Sequence, residues 1–132
     1  MAANEKQPQP PPEPVRGVMH VFAATKYSIA GLSHLWGETA FRLELLGAVI
    51  AFWLFFMMGA QGTQYLILAL FLLWVFGMEA LNTAIEMIVD EISPYRSEFA
   101  RKTKDLGSLA CACSQMAALL YVLYVIGGSL LL

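Results

Sequence analysis

The sequence predicts an all-α membrane protein, with an N-terminal amphipathic surface helix followed by three transmembrane helices. Three observations carry this. Hydrophobic residues make up 58% of the 132-residue chain, and mean hydropathy is +0.61, more apolar surface than a soluble domain of this length can bury. No charged residue stands between Glu44 and Glu79, nor anywhere from Leu106 to Leu132. The first of these stretches is broken midway by Gly59-Ala60-Gln61-Gly62-Thr63-Gln64, a glycine-rich polar turn, so two helices share it as a hairpin.

The elements follow in order. Residues 1–14 contain five of the six prolines and no apolar core of a signal peptide, which predicts a disordered or polyproline II tail. Over 15–36, Val18, Phe22, Ile29, Leu32 and Trp36 recur at helical spacing while Arg16, His20, Lys26 and Ser33 lie largely elsewhere around the helix. That pattern suits a helix lying on the membrane surface, with Lys and Trp in the headgroup zone. Spans are expected at about 39–58, 64–90 and 104–127, since roughly 20 helical residues cover the ~30 Å hydrocarbon core. The second is long enough to overshoot one interface. Between the second and third lies EISPYRSEFARK, a polar connection holding Pro94.

Charge narrows the partners. A net charge of −2 provides no basic excess to displace counterions from a phosphate backbone, which excludes a nucleic-acid binder. Arg16, Lys26, Arg42, Arg96, Arg101, Lys102 and Lys104 all fall on one side of the bilayer, and the hairpin turn has no positive residue. The positive-inside rule therefore puts the N-terminus in the cytoplasm. Cys111 and Cys113 are two apart, about 200° around a helix, so they cannot pair with each other and read as small packing residues.

Carboxylates inside a membrane are costly, which makes each a functional candidate. Glu79, Asn82, Glu86 and Asp90 have offsets of 0, 3, 7 and 11, an arc of about 80° on one helix. Folding the hairpin about Gly62 sets Glu38, 24 residues before it, level with Glu86, 24 after; Glu44 and Glu79, 18 before and 17 after, lie level about 10 Å deeper. Lys104 and Asp105 open the third span on the same side. Level carboxylates near water suit Mg²⁺, which takes one or two carboxylates together with substrate phosphates. Lys104 could act as a point charge on a phosphate. The deeper Glu79 suits a general base acting on a hydroxyl presented from the lipid phase. The same stripe would also serve to hydrogen-bond helices together or to line a proton- or ion-conducting bundle.

A motif separates these readings. EALNTAIEMIVDEIS, residues 79–93, followed by ARKTKDLGS, residues 100–108, resembles the prokaryotic integral-membrane diacylglycerol kinase family, whose signature is E-x-L-N-[ST]-[AS]-I-E-x-x-V-D. KYSIAGL, residues 26–32, and GETAFRLE, residues 37–44, are similar to that family's surface helix and first span. The resemblance implies ATP-dependent phosphorylation of diacylglycerol to phosphatidic acid by a homotrimer, with composite sites between subunits, in the bacterial cytoplasmic (inner) membrane. It puts Glu79 on the catalytic base and Glu38 and Glu86 on the metal-binding glutamates. Tyr27, Lys104 and Asp105 match positions around ATP, and Glu44, Asn82, Ser108 and Asp90 match polar positions that line or brace the lipid and catalytic site. Departures from the pattern are His20, where family members carry an arginine, a segment before Glu38 one residue shorter, and the loop Ser93-Pro94-Tyr95-Arg96-Ser97. The chain has no G-x-x-x-x-G-K-[ST] phosphate loop. Polyprenol is the rival acceptor; an ion-conducting oligomer, or a subunit docking another membrane protein, is the rival of another class.

Overall fold

The computed structural model describes residues 17–130, so the tail expected over 1–14 lies outside them. Four helices follow one another: α1 (Val18–Leu35), α2 (Thr39–Met57), α3 (Gly62–Ile92) and α4 (Glu98–Leu130). The last three are long and apolar enough to cross a membrane. α3, with 31 residues, extends about 46 Å and exceeds the hydrocarbon thickness. Its surplus turns carry Glu86 and Asp90 out of the apolar stretch.

α3 and α4 form the main packed pair, α2 lies against α3, and α1 touches α3 near its C-terminal half. The hairpin between α2 and α3 is set by its ends. Gly59 adopts φ 66°, a left-handed conformation that costs other residues a clash with the following carbonyl. With Gly59 there, its N–H reaches the Phe56 carbonyl at 3.1 Å and that of Ala60 reaches Phe55 at 2.9 Å, the Schellman closure of a helix C-terminus. At the start of α3, the Gln61 N–H donates to Gln64 Oε1 at 2.7 Å, satisfying a donor that the helix cannot.

Around this turn lies a cluster of buried apolar residues. Phe55, Leu68, Ala51 and Val125 are buried, with Ala60, Tyr65, Leu72, Tyr121 and Val122 against them. Tyr121 stacks on Phe71 with centroids 5.4 Å apart and donates its hydroxyl hydrogen bond to the Gln64 carbonyl at 3.0 Å, pinning α4 to the first turn of α3.

At the opposite end the structure differs from the sequence reading. The connection between α3 and α4 is only Ser93 to Ser97, and α4 starts at Glu98, well before residue 104. The Ser97 hydroxyl accepts from the Ala100 N–H at 3.0 Å, an N-cap on the third helical residue. Glu98–Lys102 at 2.8 Å and Arg101–Asp105 at 2.9 Å then support the first two turns at i, i+4 spacing.

Candidate active site

The polar face of α3 points at α4. Glu79, the deepest carboxylate of that face, is only 5% exposed. α4 answers with a stripe of its own, Lys104, Ser108, Cys111 and Gln115, spaced 4, 3 and 4 residues apart and so on one helical face. Antiparallel packing runs the two stripes past each other. Lys104 Nζ meets Asp90 Oδ1 at 2.6 Å, Asn82 packs on Gly107, and Cys111 is buried beside Glu79 in a shared cavity wall.

Between them is a cavity of about 290 Å³, lined by Glu38, Glu79, Asn82, Glu86, Ser108, Cys111 and Gln115 among others. The structure thus brings together both shallow glutamates and the deeper Glu79. Asn82 Nδ2 donates to Glu86 Oε1 at 3.2 Å, and Asn82 Oδ1 is buried without a hydrogen-bond partner. Glu38, Glu86 and the Asn82 oxygen are hard donors of the type Mg²⁺ selects. Among the described residues no three His, Cys, Asp or Glu side chains converge into a cage, and the pair fits a cation that shares its shell with phosphate oxygens and water.

Glu44 lies on the next cavity rather than in this one. Gln115 Nε2 donates to Glu44 Oε1 at 2.7 Å, and the pair stands at the edge of an apolar groove of about 300 Å³, walled by α2, α3 and α4 residues such as Ala51, Leu72 and Val122. Gln115 lines both spaces. A third and larger cavity, about 550 Å³, opens at the α3–α4 loop between Asp90, Arg96, Arg101 and Lys104.

Besides Glu44, four expected positions stand apart from the glutamate cavity. Lys104 lines the loop cavity with Asp90. Asp105 is engaged with Arg101 on the exposed side of α4. Tyr27 projects from α1 at 68% exposure. Cys111, Gln115 and Gly107 were not picked out from the sequence, because each looks like an ordinary residue of an apolar span. Their one signal was the helical spacing of Ser108, Cys111 and Gln115 behind Lys104.

The profile of the family described as prokaryotic diacylglycerol kinase matches residues 26–126. The chain belongs to that family. A diacylglycerol kinase of a Sinorhizobium species is 45% identical over 116 residues, covering 88% of this chain and 85% of that protein. The diacylglycerol kinase of Haemophilus influenzae is 37% identical over 115 residues, 86% and 94% of the two chains, and that of Escherichia coli 34% over 109 residues, 79% and 86%. Membership in the diacylglycerol kinase family makes this an enzyme, a kinase. Such an enzyme must bring a nucleotide from water and an acceptor from lipid to one point; the glutamate cavity shares Gln115 with the apolar groove, and its Glu86 and Ser108 lie about one helical turn from Asp90 and Lys104 of the loop cavity.

Proposed function

We propose that this kinase transfers the γ-phosphoryl group of ATP to the hydroxyl of diacylglycerol, giving phosphatidic acid. The observation that supports it best is one cavity walled by Glu38, Glu79 and Glu86 and joined through Gln115 to an apolar groove. Polar catalysis and lipid burial are thereby adjacent.

On this reading the acyl chains occupy the apolar groove, and the Glu44–Gln115 pair meets the glycerol end. Glu79 accepts the hydroxyl proton as the lipid oxygen bonds to the γ-phosphorus and the bond to the ADP oxygen breaks. Burial beside α4 keeps bulk water from competing as the nucleophile. Glu38 and Glu86 would hold Mg²⁺, which would supply charge neutralisation to the phosphates. Asn82 orients Glu86 through its amide. Lys104, anchored by Asp90 with two N–H donors to spare, supplies a point charge to the nucleotide at the water-facing end. Tyr27, Asp105 and Ser108 are assigned supporting contacts to nucleotide and substrate. Positioning and charge neutralisation carry most of the rate in such a transfer.

The same reading includes self-association as a homotrimer, α1 on the membrane surface, and the N-terminus on the cytoplasmic side of the inner membrane. Subunit association would bring Tyr27 and Asp105, remote from the cavity within one chain, to a neighbour's site.

The test is transfer of labelled γ-phosphate from ATP to diacylglycerol by purified protein in mixed micelles, with and without Mg²⁺. Glu79→Gln should lower turnover by roughly two to four orders of magnitude, the contribution expected of a general base. Preference for polyprenol would reassign the acceptor. Inertness toward both lipids in folded protein would remove the kinase chemistry proposed for this cavity.

A further inference from the structure

We infer that Gly107 is a positioning residue for this reaction: its missing side chain makes the room from which the Asn82 amide holds Glu86. The inference rests on the metal role proposed for Glu86.

Gly107 is buried on the face of α4 that packs against α3. A Cβ built on it would collide with Asn82 Oδ1 and lie 3.3 Å from Asn82 Cγ. The amide oxygen therefore occupies the volume that any other residue at 107 would fill, and it has no hydrogen-bond partner. The other end of the same amide donates to Glu86 Oε1 at 3.2 Å. Because the amide is planar, its oxygen and nitrogen move together, and pushing the oxygen off α4 also moves the nitrogen relative to the carboxylate. The added Cβ is fixed to the α4 backbone and cannot rotate away, so the Asn82 amide at the end of its side chain is the group that must move. A chain of three residues thus runs from the α4 backbone to Glu86, and Gly107 is the only one of them without a side chain to titrate or ligate.

The experiment uses the full chain purified in detergent, with Mn²⁺ as a spectroscopic stand-in for Mg²⁺, read by electron paramagnetic resonance in the presence of a nonhydrolysable ATP analogue. Gly107→Ala should weaken Mn²⁺ binding by about tenfold or more, the usual effect of disturbing a residue that orients a metal ligand. Asn82→Ala should weaken it comparably. In the double variant Gly107→Ala should add less than about twofold to Asn82→Ala, since the collision partner is gone. If Gly107→Ala prevents folding, the double variant should regain the melting temperature and elution volume of Asn82→Ala alone.

Glu86→Gln separates the two levels of the claim. Should it lose Mn²⁺ while Gly107→Ala binds as wild type, the Gly107 inference is overturned and the metal role stands. Should Glu86→Gln bind as wild type, the metal role fails and the inference falls with it. Full additivity of the two substitutions, or a double variant that still does not fold, would make Gly107 a packing residue only.

Discussion

A carboxylate on an apolar helix is costly unless something compensates its burial, and three of the acidic residues here have a different partner each. Glu86 has the Asn82 amide, Glu44 has the Gln115 amide, and Asp90 has the Lys104 ammonium. These pairings make separable predictions. Glu86→Gln keeps the shape and the hydrogen-bond donor's neighbour but removes a charge from the proposed cation shell. The Mg²⁺ titration of activity should shift to higher concentration, and an unchanged curve would remove Glu86 from that role. Lys104→Met removes the point charge that the proposed function assigns to the nucleotide's phosphates. It should raise KM for ATP by about tenfold or more and leave KM for the lipid alone; an equal rise in both would point to a folding defect. Glu79, Asn82 and Glu86 were legible in the sequence because polar residues in an apolar run stand out by contrast. Gly107 and Cys111 were not, because small residues in a span acquire a role only once α3 is laid beside α4. The Lys104–Asp90 contact crosses a loop whose length the sequence reading overestimated.

Among the elements, the two ends of the bundle are built on different physics. The α2–α3 turn depends on one backbone conformation and the aromatic cluster beneath it. Gly59→Ala forces a β-carbon into the left-handed region, at a cost of about 1–2 kcal/mol, and should lower the thermal midpoint in detergent while leaving KM for both substrates unchanged. Tyr121→Phe keeps the stacking and deletes one partly buried hydrogen bond, about 0.5–1.5 kcal/mol; retained stability would make the contact with Gln64 dispensable. At the other end α4 is nucleated by Ser97 and by ion pairs within its first turns. The sequence reading set the boundary of the third span by hydropathy, and hydropathy is blind to a helix that begins in polar residues. The pattern Ser97-Glu98, with Glu98 four residues before Lys102, was the start signal available.

The whole molecule leaves much of its apolar surface uncovered: no more than 22% of the residues in the most hydrophobic window of any span are buried within the chain. Lipid, alone or together with copies of the chain, covers the remainder. Light scattering on the detergent-solubilised protein should give three subunits, and a monomeric active enzyme would sink the homotrimer. Alkaline phosphatase joined after Leu132 should be active and a fusion at the N-terminus inactive, as three crossings from a cytoplasmic start require; the reverse pattern would invert the orientation. The two halves of the bundle differ in a way that bears on membrane traffic. The carboxylates cluster toward the α3–α4 loop, whereas the half of the bundle nearest the hairpin turn is closed by Phe55, Leu68, Tyr65 and Tyr121. On the proposed function, a lipid in the leaflet beside that turn would meet no polar opening among the described residues and would have to flip across the bilayer before phosphorylation. One leaflet would then feed the enzyme, and the product would accumulate on that same side until something else moved it.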